Sequence, residues 1–130
     1  RKMLRNDMAC YKARAEAVRH AEVYRGAFAI SVCPSENVES PTIVGAQAAN
    51  ELLNIIGIKA SFVLTEYNGK IYISSRSIDE INVQLIMERL GGGGHLNVAG
   101  AQLKDCTIVQ AKHAIMDTLD EMLKEGDIQE

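Results

Sequence analysis

The chain has 130 residues, which suits one domain with one hydrophobic core. Apolar residues make up 47% and charged residues 24%, the balance of a soluble globular domain. No stretch reaches the roughly 18 apolar residues of a membrane helix, and no signal-peptide pattern stands at its start. The net charge of -3 is unevenly spread. Residues 1–25 carry seven basic residues (Arg1, Lys2, Arg5, Lys12, Arg14, Arg19, Arg25) against three acids (Asp7, Glu16, Glu22). That segment is therefore +4 and the remainder -7. A basic helix facing nucleic acid is one reading, and a solvated helix face or linker is the plainer one. The acidic remainder argues against a broad nucleic-acid footprint. Cys10, Cys33 and Cys106 are odd in number and widely spaced, with no C-x-x-C pair and no zinc pattern. Cys33 ends an apolar run and is expected in or near the core.

Residues 3–24 read as a helix, with Leu4, Met8, Tyr11, Ala15 and Val18 at three- and four-residue steps. Arg1 falls inside this pattern, so the sequence is expected to be a piece of a longer chain. Ala27 to Val32 reads as a buried strand. Ser40-Pro41 is a helix start, with serine as N-cap and proline in the first turn. That helix is expected to reach about Ile56, with Val44, Ala48, Leu52 and Ile55 inward, and Gly57 ends it. Residues 60–67 and 70–76 are strands joined by Asn68-Gly69, a dipeptide that tolerates positive φ at both turn positions. Asn82 to Leu90 is a short helix, stopped by Gly91–Gly94. Ala99 to Leu103 reads as a strand. Thr107-x-x-Gln110 is a capping box for the last helix, and Gly126 is its C-terminal stop. The order predicts an α/β fold: one domain with a mixed sheet of about four to five strands flanked by helices and preceded by a linker helix.

Four consecutive glycines are expensive, at roughly 0.5–1 kcal/mol each relative to alanine in a regular element. A helix stop needs one. The excess fits a backbone that approaches a ligand closely, with several N–H groups turned to one point. Such a nest binds anions, phosphate above all. His95 follows directly and can donate to the same phosphate or exchange a proton with it. The plainer alternative is a flexible loop beside a surface histidine. The run fits neither G-x-G-x-x-G nor G-x-x-x-x-G-K-[ST]. Arg76, within Ser74-Ser75-Arg76-Ser77, closes a strand and can offer a bidentate fork to phosphate. An ordinary edge arginine is the alternative, and its pairing with the glycine run strengthens the first reading. His20 and His113 lie on helices with no Asp–His cluster near them in sequence. No Ser–His–Asp or Cys–His pattern stands out. The chain is therefore expected to bind and not to cleave, with no catalytic residue and no metal ligand of its own.

Gly92-Gly93-Gly94-His95 followed by Ala99-Gly100 resembles the G-G-G-H-x-x-x-A-G signature of the DHH-associated, C-terminal domain of DHH-family phosphoesterases. Three further stretches are most similar to the cyclic-di-AMP phosphodiesterase branch. They are Ile73-Ser74-Ser75-Arg76-Ser77, Asp79-x-Ile81-Asn82-Val83-Gln84, and Gly91 to Leu96 with Gln102-Leu103. The resemblance covers roughly Tyr24 to Lys124. It implies a substrate-binding domain over residues 25–130 and a linker helix over residues 1–24. An N-terminal DHH domain outside this sequence would hold two manganese ions and act in cis. By position, Arg76 matches the phosphate-binding arginine, Gly92, Gly93 and Gly94 the loop, and His95 its histidine, with Ser75 a weaker match. The implied reaction of the whole protein is hydrolysis of cyclic-di-AMP to linear diadenylate, and the isolated chain is expected to be inactive. Val98 departs from the pattern, where many members carry alanine. The resemblance implies a cytoplasmic domain and leaves room for a membrane anchor elsewhere in the protein and for a homodimer. The same loop also serves nanoRNases and adenosine-bisphosphate phosphatases, so short nucleotides are alternative substrates. An RNA-binding module like that of alanyl-tRNA synthetase is a third reading, weakened by the acidic remainder and by only 5% aromatic residues.

Overall fold

A computed structural model describes residues 8–78 and 80–129. Leu4 of the expected first helix, Asp79 and Glu130 lie outside the described residues. The elements are α1 (Met8–Arg19), β1 (Glu22–Tyr24), β2 (Phe28–Cys33), α2 (Pro41–Leu52), β3 (Ala60–Tyr67), β4 (Lys70–Ser77), α3 (Val83–Arg89), β5 (Gly93–Gly94), β6 (Val98–Lys104) and α4 (Ile108–Glu125). They form a three-layer α/β domain around one six-stranded sheet of order β1-β2-β3-β4-β6-β5. Only β2 and β3 run parallel, so the sheet is mixed as expected. The two strands beyond the expected four are the shortest, with three and two residues.

Successive side chains of a strand face opposite sides, and the two sides have separate cores. One contains Phe28, Ile30, Phe62, Leu64, Ile71 and Ile73 under α3 and α4, which contribute Ile86, Met87, Ile115 and Leu119. The other contains Ala29, Cys33 and Val63 under α1 and α2, which contribute Ala13, Ala17, Val44, Ala48 and Leu52. Gly45 lets α2 sit close on β3, because a Cβ there would stand 2.5 Å from Thr65 Oγ1. Cys33 is buried as expected, and burial pushes its thiol up to about 11. The fold thus favours the neutral thiol, and that contribution fades as pH rises from about 9 toward 11.

The first helix departs from the expected pattern. It ends at Arg19, and Glu22–Tyr24 turns into β1, paired antiparallel with Phe28–Ile30. Arg25 and Gly26, both at positive φ (53° and 76°), make the turn between the two strands. The inward stripe is also different. Met8 and Tyr11 are exposed, and the small residues Ala13 and Ala17 are buried. Close packing explains it: Ser31 Oγ donates to the Ala17 carbonyl, which needs the helix backbone near the sheet. The second helix stops at Leu52, four residues short of expectation. Leu53, Asn54 and Ile55 donate to carbonyls three residues back, so the helix tightens and ends. Ile55 and Ile56 are exposed as a result. Ser40 stands at the N-cap, but its side chain makes no capping hydrogen bond.

The other local signals hold. Asn68 and Gly69 adopt φ of 54° and 74° in the β3–β4 hairpin. Asn82 Oδ1 caps α3 by accepting from Leu85 N–H. Thr107 and Gln110 form both bonds of the capping box, and Gly126 ends α4 in the left-handed conformation.

Candidate functional site

β4 organises the site. Its burial alternates residue by residue, with Ile71, Ile73, Ser75 and Ser77 buried and Lys70, Tyr72, Ser74 and Arg76 half-buried. The first set faces the α3/α4 core and the second faces the α1/α2 side. There α2 lies mainly over β3, leaving the β4–β6 end of that face partly open. Partners across antiparallel strands share a face. Arg76 pairs with Val98, Ser74 with Gly100 and Tyr72 with Gln102. Gly93 pairs with the same Gly100 from the other side. One sheet face therefore presents Arg76, Ser74, Tyr72, Gln102, Gly100 and Gly93 together.

Arg76 is the unusual charge in this group. It is partly desolvated, and burial pulls its pKa below the ordinary arginine value. Its Nη1 donates to the Ser75 carbonyl at 2.9 Å. Among the described residues no carboxylate pairs with it. Arg14, Arg25 and Arg89 are each paired, with Glu51 at 3.3 Å, Asp120 at 2.7 Å, and Glu125 and Asp127 at 2.8 and 2.7 Å. A guanidinium stays charged when partly buried. Among the described residues, then, most of its N–H fork has no protein partner.

The glycine run is not the open nest that its composition suggests. Gly91, at φ 86°, ends α3. Its N–H donates to Glu88 O, and that of Gly92 donates to Met87 O, the two bonds of a Schellman stop. Gly92 is pressed against β6: a Cβ there would stand 2.0 Å from the Gly100 carbonyl oxygen. Gly94 has φ 146° and the same restriction, with Ala99 Cα and Val98 O 2.5 Å from its Cβ position. His95 N–H donates to Val98 O at 2.7 Å. Three amides of the loop are therefore committed to protein carbonyls, and three of the four glycines are explained by the fold itself. Gly93 is the exception. It has an ordinary φ, and nothing lies within 4 Å of where its Cβ would be. Its open side is on the Arg76 face.

His95 is exposed at the tip that joins β5 to β6. That tip is fastened to the end of β4. Ser77 N–H donates to Asn97 O at 3.0 Å and Val83 N–H to Leu96 O at 2.9 Å. Asn97 Nδ2 donates to Ser77 Oγ at 3.0 Å and to Ile78 O at 2.9 Å. The structure thus brings Arg76, Gly93 and the His95 tip to one end of the sheet.

It does not bring Ser75 there. Ser75 is fully buried on the core side, and its Oγ has no hydrogen-bond partner. The strand period decides this: Ser74, two residues before Arg76, shares the arginine's face, and Ser75 cannot. Ser75→Ala should leave stability unchanged or raise it by up to about 1 kcal/mol, because it removes a buried hydroxyl with no partner. Urea unfolding of the chain measures this, and a loss above about 1 kcal/mol would show that Ser75 Oγ is bonded after all.

Beside Ser74 the same face forms a cleft of about 460 Å³, bordered by Thr42 of α2, the start of the glycine run, and Tyr72, Gln102 and Lys104. Sequence reasoning missed Thr42, Tyr72, Gln102 and Lys104 as site residues, as it missed Asn97. Counting by twos from Arg76 along β4 was the available signal for Ser74 and Tyr72. Gln102 and Thr42 depend on strand pairing and helix placement. His20, just past the end of α1 and paired with Glu16 at 2.8 Å, and His113, on α4, are exposed. Among the described residues no three His, Cys, Asp or Glu side chains gather as a metal site. Among them, too, no helix is long and apolar enough to cross a membrane.

These features define a class: a mixed-sheet α/β domain with a bare glycine and, on the same sheet face, an arginine that no described carboxylate pairs. Residues 27–125 match the DHHA1 domain model, and the chain belongs to that family. It is 42% identical over 118 residues to the cyclic-di-AMP phosphodiesterase PdeA of Listeria monocytogenes, covering 90% of this chain and 18% of that protein. It is 35% identical over 127 residues to the cyclic-di-AMP phosphodiesterase GdpP of Bacillus subtilis, covering 96% and 19%. The chain thus spans less than a fifth of the length of these relatives. An exopolyphosphatase-related protein from Bacteroides fragilis shares the fold, with a TM-score of 0.79 at 21% identity over 92% of this chain and 36% of that one. The C-Ala domain of Aquifex aeolicus alanyl-tRNA synthetase is a more distant match, at TM-score 0.56 and 20% identity over 76% of this chain and 96% of that domain.

Proposed function

We propose that this chain is the substrate-holding domain of a manganese-dependent phosphodiesterase that opens cyclic-di-AMP to linear diadenylate. The observation that carries the reading is Arg76, a half-buried guanidinium with no carboxylate partner among the described residues. Ser74 and the open side of Gly93 stand beside it, and the exposed His95 follows on the adjoining tip. A phosphodiester oxygen would complete the arginine's charge pairing, and a fork of parallel N–H donors would fix the phosphate's orientation. The same charge would stabilise negative charge developing on that phosphate during attack. The relatives PdeA and GdpP are cyclic-di-AMP phosphodiesterases, which supports a cyclic dinucleotide as the substrate.

Among the described residues no three acids, cysteines or histidines gather as a metal site, and this reading places the metal ions elsewhere in the whole protein. In this reading they sit in an N-terminal DHH domain acting in cis, where they would supply the activated water. Residues before β2 would carry the chain from that domain, and this chain alone would be inactive. The basic N-terminal segment adds little support for RNA binding, since Arg14 and Arg25 are paired with acids of the domain itself.

The test is a side-by-side assay of the full-length protein, supplied with manganese, on cyclic-di-AMP, linear diadenylate and adenosine bisphosphate. The expected result is the highest kcat/KM on cyclic-di-AMP, with linear diadenylate accumulating. Faster cleavage of linear diadenylate would point to a nanoRNase, and faster release of phosphate from the bisphosphate to a nucleotide phosphatase.

A further inference from the structure

The cleft beside Ser74 has a chemistry that phosphate binding does not use. Tyr72 and Gln102 are cross-strand partners on its floor, with Ser74 and Gly100 the next pair toward Arg76. Thr42 stands on its α2 side and Lys104 at its far end. The Tyr72 ring contacts that of Tyr67, with centroids 6.3 Å apart and planes tilted by 50°. Tyr72 is half-buried, and the cleft opens beside it. Among the described residues the side chains of Thr42, Tyr72, Ser74 and Gln102 make no hydrogen bond to the rest of the protein. Four polar groups thus border one cavity with their donors and acceptors uncommitted.

We infer that this cleft seats an adenine base, with Tyr72 as the stacking surface and the Gln102 amide reading the base edge. The spacing suits one nucleotide. Residues advance about 3.3 Å each along a strand, so Tyr72 lies about 13 Å from Arg76, with Ser74 midway. A phosphate on Arg76 and a base on Tyr72 would then be joined by a ribose lying over Ser74. The amide of glutamine offers one donor and one acceptor, which matches N7 and the N6 amino group of adenine. Guanine presents two acceptors there and leaves the amide oxygen unmatched. Stacking on an aromatic ring holds the base without selecting it. Tyr72 thus contributes affinity and Gln102 selectivity. The inference rests on the proposed role of Arg76 as phosphate holder, and the experiment separates the two.

The experiment is a titration of the isotope-labelled chain, followed by NMR, with inorganic phosphate, AMP and GMP. Phosphate is expected to shift Arg76 and Gly93 only. AMP is expected to shift these and also the Tyr72 ring and the Gln102 side-chain amide, with GMP about tenfold weaker. Gln102→Leu, an exposed position that the fold tolerates, is expected to weaken AMP about tenfold and leave phosphate unchanged. Equal binding of AMP and GMP, or wild-type AMP binding by Gln102→Leu, overturns the inference. Shifts at Arg76 without any at Tyr72 and Gln102 overturn the base seat and keep the phosphate holder. Shifts at Tyr72 and Gln102 without any at Arg76 keep the seat and remove the holder. An absence of shifts anywhere at millimolar AMP overturns both.

Discussion

Arg76→Ala should lower the kcat/KM of the full-length protein on cyclic-di-AMP by about 10²–10³-fold, the range typical of losing one preorganised charge-stabilising donor. The argument is one of charge balance. The guanidinium is drawn partly out of water by β4 and its neighbours, and no described carboxylate compensates it. An isolated protein would gain by pairing or exposing it. In the proposed reading a bound phosphate would offset that cost. It follows that stability and activity should part company. Arg76→Met keeps the aliphatic packing and removes the desolvated charge, so its unfolding free energy should equal or exceed that of the wild type. Arg76→Lys keeps the charge but loses the fork, and should fall between wild type and alanine in kcat/KM. Steady-state kinetics and urea unfolding on the same proteins check both halves. Wild-type kinetics for Arg76→Ala would take the arginine out of the site. A large stability loss for Arg76→Met would make its role structural.

The glycine run should divide into two kinds of position when each member is replaced by alanine. Gly92→Ala places a Cβ 2.0 Å from the Gly100 carbonyl oxygen and 2.7 Å from Ala101 Cα. These are backbone atoms and cannot swing aside, so β5 must leave β6. Gly94→Ala meets Ala99 Cα and Val98 O at 2.5 Å and also carries a φ of 146° that a side chain resists. Each should lose about 1–3 kcal/mol, as overpacking and backbone strain typically cost. Gly93→Ala meets nothing within 4 Å and keeps an ordinary φ. Its stability should match the wild type, while the added methyl, on the Arg76 face, should raise the KM for cyclic-di-AMP several-fold. Denaturant unfolding and kinetics on the three variants separate the kinds. If Gly93→Ala binds and turns over substrate normally, the glycine strand is a device of the fold alone.

That division also marks how far the sequence could be read. The number of glycines suggested a phosphate nest, yet Gly91, Gly92 and Gly94 are there for the helix stop and for the close approach of β5 to β6. A one-dimensional reading cannot separate a backbone that approaches a ligand from one that approaches another strand, since both need a missing Cβ. Local signals were legible because their partners are near in sequence: the Asn68-Gly69 turn, the Thr107–Gln110 capping box and the Gly126 stop. The period of β4 was legible too, and it places Ser74 rather than Ser75 beside Arg76. What escaped were features set by tertiary contact. Ala13 and Ala17 are buried because α1 must lie close to Ser31, although larger residues on the same helix seemed the natural inward stripe. Glu22–Tyr24 continues a helical pattern but is captured as an edge strand by β2 once Arg25 and Gly26 turn the chain. Gln102 and Thr42 come to the site only through the β4–β6 pairing and the placement of α2.

Whether the Arg76 face holds a phosphate of the substrate can be seen directly. The most direct measurement is a crystal structure of the full-length protein with a non-hydrolysable cyclic-di-AMP analogue. The expected result is one phosphate within hydrogen-bond distance of the Arg76 guanidinium, lying against the open side of Gly93, with its adenine over Tyr72. A phosphate bound elsewhere, with the Arg76 guanidinium still held only by the Ser75 carbonyl, would contradict it.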